Sequence, residues 1–466
     1  ADTDKEAHDL LVAATQDLLN VIETELACQV AEDKSAIIAS SDKLANMLEA
    51  TLGIMGSTPT KATASLGVDW ACGKKRRTHG PTSIRAKRFR AGMARIARIR
   101  RLRRTVGGAQ ASRVTSTGAL KATEYGAAVN GVSDTELAQL RKLAAAGMSP
   151  AAQGRSLSAL LAVKGDPTVC AAAAPILQWI RVAWRADRRL PGETRIEDLK
   201  EAWASTELYR QGLIDEYGTR KWGRSRGPIG AMELSLHRLG WHSDDGFTLV
   251  DDVGVRRTIT SLTPALWKSI IVAAMQRHHE RELGLKTGFD ELRGKRACID
   301  VVNRVARSRK TAADGARLLI ANACNAVWSL TRARNAGYDL ESTSCTLCGE
   351  SDDTLHHRIW CCQHPPVRQA REAAAPASII KAALKAGPNS ALYNRAIFAH
   401  PEHQWPAATA DVKCKLFAQE LSRQPDEFWL KGNIYIDGSC DQRVIKGLKR
   451  AGWGVVMADE NGNLVA

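Results

Sequence analysis

Between residues 345 and 362 the chain reads Cys345-Thr-Leu-Cys348-Gly-Glu-Ser-Asp-Asp-Thr-Leu-His356-His357-Arg-Ile-Trp-Cys361-Cys362. Two thiols stand two residues apart and are followed by imidazoles and further thiols. These are the donors that a tetrahedral Zn²⁺ takes, and Cys-x2-Cys lets one tight turn present two sulfurs while a later His and Cys close the set from a short helix. The spacing Cys-x2-Cys-x7-His-x4-Cys selects Cys345, Cys348, His356 and Cys361, and the register one residue later uses His357 and Cys362 instead. Four protein donors leave no position open for water, so a zinc knuckle of this kind is structural rather than catalytic. Its expected work is to fold a small platform on which a nucleic-acid strand or a neighbouring domain can lean.

Two other stretches could do chemistry. Asn433-Ile-Tyr-Ile-Asp437-Gly-Ser-Cys440 reads as an alternating strand ending in a carboxylate, with Gly438 permitting a sharp turn that leaves Asp437 exposed beside a sheet. Phosphodiester hydrolysis with two metals needs several carboxylates around Mg²⁺ ions about 4 Å apart, so Asp437 cannot act alone. From Lys74 to Arg104 the chain holds fourteen Lys or Arg and no Asp or Glu. Self-repulsion on that scale favours a phosphate backbone as partner, bound in a salt-sensitive and sequence-indifferent way. Lys74, Lys75, Arg76, Arg77, Arg85, Lys87, Arg88, Arg90, Arg95 and Arg98 are the residues expected to bind it. Asp251-Asp252 reads as ordinary hairpin-turn chemistry. His278-His279-Glu280 reads as helix surface, since it lacks the His-x3-His spacing that would put two imidazoles on one face.

The elements that must position these groups follow from composition and periodicity. A chain of 466 residues is long enough for roughly three domains. The formal charge of +16 lies mostly in the basic segment. No run of eighteen apolar residues and no signal-peptide pattern is present, so no membrane partner is expected, and the chain reads as intracellular, nuclear or cytoplasmic. Apart from the knuckle, the cysteines are scattered, unlike a secreted disulfide framework.

Leu10, Leu11, Leu18, Leu19, Ile22 and Leu26 predict an amphipathic helix over 6–27. A short strand is expected after Cys28, a helix from Asp42 to Leu52, and another strand over Ala64–Trp70. Phe89, Met93, Ile96, Ile99 and Leu102 recur every three or four positions, which predicts a basic helix with one packing face. Gly107–Thr123 is rich in Gly, Ser and Thr and reads as a linker. Helices are expected over 133–190 and 195–340, interrupted by a hairpin around Asp251-Asp252, with a helical connector after the knuckle. The last segment changes character to strands at 432–437 and 451–458, with a turn at Asp459-Glu-Asn-Gly462 leading towards a third.

In this order the parts resemble the C-terminal half of a non-LTR-type retrotransposon polyprotein. Cys345, Cys348, His356, Cys361 and the lead-in Asp353-Thr-Leu-His356 resemble the zinc-binding region that accompanies its reverse transcriptase. Ile434-Tyr-Ile-Asp437-Gly-Ser-Cys followed by Ala451-Gly-Trp-Gly-Val-Val is similar to the opening strands of type 1 RNase H. Glu32-Asp-Lys34-Ser35 and Leu66-Gly67-Val68 look like strands that follow the polymerase Asp pair, with Lys34 placed like the lysine that assists pyrophosphate departure. The resemblance covers about a third of the chain, and an insertion of about eight residues, Asp441 to Lys449, separates the two RNase H strands.

It implies an α+β fold: a mostly helical body with a partial α/β palm remnant, a zinc module and an incomplete RNase H-like sheet. The implied divisions are a palm remnant at 1–75, a basic thumb-like region at 76–190, a helical connection region at 191–340, the knuckle at 341–366, a helical linker at 367–430 and the start of RNase H at 431–466. The implied partners are RNA, DNA or an RNA–DNA hybrid. The implied family activities are RNA-dependent DNA synthesis and cleavage of hybrid RNA, with Asp437 holding Mg²⁺ in a complete nuclease. With the remaining carboxylates beyond Ala1 and Ala466, this chain is expected to be inactive. The rival expectation is a non-enzymatic, zinc-stapled nucleic-acid-binding or assembly protein.

Overall fold

A computed structural model describes residues 3–30, 35–52, 62–71, 83–188, 194–215, 218–286 and 288–400, together with the backbone of strands within 414–458. The described residues are mostly helical, with only two-stranded sheets, in keeping with the α+β class. Contacts divide the chain into two compact units, Ala1–His400 and Pro401–Ala466. No helix among the described residues is long and apolar enough to cross a membrane.

Helix α1 (Asp4–Asn20) starts where the Thr3 hydroxyl accepts the Glu6 N–H at 3.2 Å. It continues into a π turn, Val21–Glu25, and packs against α2 (Asp42–Leu52) through Ala7 and Val12 on Leu44 and Leu48. The described residues between Cys28 and Ser40 form no strand, contrary to expectation, and Lys34 lies outside the described residues. The strand expected over 64–70 is instead a hairpin of β1 (Ala62–Ser65) and β2 (Val68–Ala71). Leu66 and Gly67 turn it at φ +49° and +75°, the pair of left-handed conformations whose twist matches antiparallel strands.

The basic stretch folds as two helices, α3 (Ile84–Ala94) and α4 (Ile96–Val106), divided at Arg95. Buried Asp69 of β2 caps α3. Its carboxylate accepts from the Ser83 hydroxyl at 2.9 Å and from the Ile84 and Arg85 N–H groups at 3.0 and 2.9 Å. The segment expected to be a linker is helical: α5 (Gly108–Val114), a π stretch Thr115–Leu120 and the helix Lys121–Glu124. Its hydroxyls do not break the helix because each bonds back one turn. Thr115, Ser116, Thr117 and Thr123 donate to the carbonyls of Ala111, Ser112, Arg113 and Ala119 at 2.7–3.0 Å. Buried Ala111, Thr115, Leu120 and Thr123 then join the helix to the body.

One hydrophobic cluster runs from Phe89 to Ile397 and so joins stretches that the sequence divides into several regions. Leu140, Leu160, Ile176, Ile180, Trp203 and Trp267 are almost fully buried in it. The expected hairpin is present as β3 (Thr248–Val250) and β4 (Arg256–Thr258). The His278-His279-Glu280 expectation is corrected. On the helix Pro264–Leu283, His279 and Glu280 are buried, with His279 Nε2 2.8 Å from Asp166 Oδ2 and Glu280 bound by Arg296 and by the Gln276 amide at 3.1 Å. The unit ends on β5 (Ala297–Cys298) paired with β6 (Phe398–Ala399). In the second unit, β7 (Cys414–Leu416) pairs with β8 (Gln419–Leu421), and β9 (Asn433–Ile445) with β10 (Leu448–Ala458). The expected third strand after Gly462 lies outside the described residues.

Candidate functional site

The knuckle begins where the Cys345 N–H donates to the Ser351 carbonyl at 2.7 Å and the Gly349 N–H donates to the Cys345 carbonyl at 2.8 Å. This closes the turn that carries Cys345 and Cys348, and Gly349 at φ +73° takes the left-handed position that ends it. The Asp353 N–H reaches the Thr343 carbonyl at 2.7 Å and returns the chain. The Thr354 hydroxyl then accepts the His357 N–H at 3.0 Å and opens a π turn over His357–Cys361.

The placement of the donor atoms, rather than their spacing, separates the two registers. The Cys362 N–H donates to the His357 carbonyl at 2.8 Å, five residues back, and this wider winding brings positions i and i+5 towards one face. Cys345, Cys348, His357 and Cys362 present one donor each, all within 4.8 Å of one another, and Cys348 Sγ is 3.3 Å from His357 Nε2. The expected His356 and Cys361 are therefore corrected to His357 and Cys362. His356 is buried on the other face, its Nδ1 3.1 Å from Asn394 Oδ1. Cys361, half-buried, has a thiol pushed above its ordinary value by burial.

Three sulfurs and one nitrogen at such separations fit Zn²⁺, whose tetrahedral shell puts thiolate sulfurs about 3.8 Å apart. The Cys348 and Leu347 N–H groups aimed at Cys345 Sγ outweigh burial and lower its thiol to about 7, which prepares it as a ligand. Burial raises Cys362, and a bound cation would hold it as thiolate. With all four positions filled from the protein, such an ion would be structural.

Asp353 ties the knuckle to the helix Leu330–Asn335. It accepts the Leu330 N–H at 2.7 Å and pairs with Arg358, whose guanidinium also reaches the Trp328 carbonyl at 2.9 Å. Burial works against the Asp353 carboxylate, but Arg358 and the Leu330 N–H hold it below its usual range. On the other side, Trp360 donates to the Tyr393 carbonyl at 3.0 Å and meets its ring edge-on.

The basic residues part company in the structure. Lys74, Lys75, Arg76 and Arg77 lie outside the described residues. Arg85 is corrected from a nucleic-acid ligand to a core ion pair. It is buried against Glu136 and donates to the Gly131 carbonyl at 2.7 Å. Arg88 is half-buried, stacked 4.7 Å over Tyr125 and bonded to the Gly67 carbonyl. Lys87, Arg90, Arg95 and Arg98 are exposed. On α4 Arg100, Arg101 and Arg104 are exposed beside Arg98, while Arg103 turns inward to the Ala146 carbonyl at 3.0 Å. At 100° per residue, Arg98, Arg100, Arg101 and Arg104 fall within an arc of roughly 160° opposite Ile96, Ile99 and Leu102. Among the described residues none of these four has a carboxylate partner. The sequence signal for the last three was their place in the charge run, on the side of the expected basic helix away from its packing face.

Asp437 is not at a strand end. It lies inside β9, opposite Gly454 of β10, and the expected insertion Asp441–Lys449 mostly lengthens these two strands. Asp251 and Asp252 are occupied as ordinary hairpin acids. Asp251 accepts the Val253 and Val255 N–H groups at 3.0 and 2.9 Å, and Asp252 accepts Arg277 Nε at 2.9 Å. Asn394 carried no signal in sequence, because its partner His356 is 38 residues away, and Asp353 was legible only as part of the lead-in to the knuckle. No family model, curated protein or solved structure matches the chain.

Proposed function

We propose that this chain is a nucleic-acid-binding part of a non-LTR-type retroelement polymerase, with one segment folded around a structural Zn²⁺ held by Cys345, Cys348, His357 and Cys362. The observation that carries the binding role is the one-sided α4: apolar residues pack inward while four arginines cover the opposite arc without acids among them. The helix is about 16 Å long, enough to follow several successive phosphates of a strand. The polymerase assignment rests on the sequence resemblance at the knuckle and around Asp437. In this reading Asp437 is the first of the carboxylates that hold Mg²⁺ for cleavage of hybrid RNA.

The test is fluorescence anisotropy with labelled single-stranded RNA and an RNA–DNA hybrid across a salt series. The triple variant Arg98→Ala, Arg101→Ala, Arg104→Ala is expected to weaken binding to both and to lower the slope of log K against log salt by about 2 to 3. Unchanged affinity and slope would remove α4 from the interface and the proposal with it.

A further inference from the structure

A cavity of about 380 Å³ lies among the helices Asp134–Gly147, Gly227–Leu239 and Pro264–Leu283 and the turn Gly218–Arg224. Its walls carry Arg141, Lys221, His237, Arg238 and His278 against Asp134 and Glu282. Two of the nearby acids, Asp134 and Asp166, are engaged by cations. Asp134 Oδ1 takes Arg238 Nη2 at 2.8 Å, and that guanidinium also reaches the Ala172 carbonyl at 3.1 Å and stacks 4.6 Å over Trp222. Asp166, behind the wall, takes Arg141 Nε at 3.1 Å and lies 2.8 Å from His279.

The donors are not all spent. The Lys221 ammonium gives one proton to His237 Nδ1 at 2.9 Å and retains two. That bond fixes the His237 tautomer with its N–H at Nε2. Beyond Asp166, Arg141 meets only the weak acceptor Met275 Sδ at 3.5 Å among the described residues. His278 is 4.0 Å from Glu282, the acidic wall, which is a third exposed and so screened by solvent. An ammonium, a guanidinium and imidazole N–H groups from separate walls suit an anion with oxygens in several directions rather than a planar carboxylate.

We propose that this cavity binds a phosphate group, supplied either by free pyrophosphate or by the phosphorylated end of a nucleic acid. It stands apart from the arginine face of α4, since free pyrophosphate alone would satisfy it.

The experiment is calorimetric titration of the full chain with inorganic pyrophosphate at fixed ionic strength. Saturable binding at one site is expected. Lys221→Gln should weaken it at least about tenfold and Lys221→Arg should retain most of it. His278→Ala provides a second weakened variant should Lys221→Gln fail to fold, as checked by circular dichroism. No saturable binding, or wild-type affinity in the folded variant, overturns the proposal. Competition then separates the sources. Displacement by a 5′-phosphorylated oligonucleotide but not its 5′-hydroxyl twin assigns a nucleic-acid end, and displacement by neither assigns a free phosphate. Equal displacement by both would place pyrophosphate on a general polyanion surface and overturn the proposal.

Discussion

The zinc register offers the sharpest prediction, because neighbouring histidines and cysteines are assigned opposite roles. Structural Zn²⁺ sites bind with about 10–16 kcal/mol, so an even share among four donors is roughly 3 kcal/mol each, a factor of more than about 100 in affinity. His357→Ala and Cys362→Ser should therefore lose the metal to a chelator that the wild-type chain resists. His356→Ala should keep it. That variant leaves buried Asn394 Oδ1 without its partner at 3.1 Å, which costs about 1–3 kcal/mol of stability. Cys361→Ser should likewise retain zinc. The assay is zinc per chain by plasma mass spectrometry after dialysis against chelators of graded strength, with thermal melting alongside. Zinc retained by His357→Ala and lost by His356→Ala would refute the assigned register; no zinc in the wild-type chain would refute the metal centre.

Asp69→Ala removes an acceptor of three hydrogen bonds at the start of α3 and should destabilise the chain by about 2 kcal/mol in denaturant titration, with the salt slope of nucleic-acid binding unchanged. Asp166 is held at about 2, burial raising it but His279 and Arg141 together prevailing. A depressed carboxylate stabilises above its unfolded value, so this contribution, on the order of 2 kcal/mol, is present above pH about 4 and is lost as pH falls towards 2. Asp166→Asn should be less stable at pH 7 by about 3 kcal/mol and should show a flatter melting profile across that acid window. In a polypeptide extending beyond Ala466 with the remaining carboxylates, Asp437→Asn should abolish Mg²⁺-dependent hybrid cleavage and leave hybrid binding intact. Equal cleavage by both would remove Asp437 from the chemistry.

Local rules were readable in the chain wherever one element decided the outcome. The Asp251-Asp252 hairpin, the Cys-x2-Cys turn and the apolar stripe of α4 all follow from residues within a dozen positions. The failures share a different cause. Gly107–Thr123 looks like a linker by composition, yet burial of Ala111, Thr115 and Leu120 and the back-bonding hydroxyls make it helical. Arg85 and His279 look like surface charges, but their partners Glu136 and Asp166 lie 51 and 113 residues away. Both registers carry the same His-x4-Cys spacing, so donor spacing alone could not separate them; the fold turns His357 to Cys348 and His356 to Asn394, 38 residues away.

The stitches around the knuckle reach further than the metal itself. Asn394 and Tyr393, which meet His356 and Trp360, belong to the helix Ala391–Arg395, and Glu291 holds the Leu392 N–H of that helix at 3.0 Å. The same helix leads directly into β6, which closes on β5. The cation would thus act as a clasp: an apo chain should open where Phe398 and Ala399 return to Cys298 and Ala297, so that metal loading and closure of the helical body form a single cooperative event.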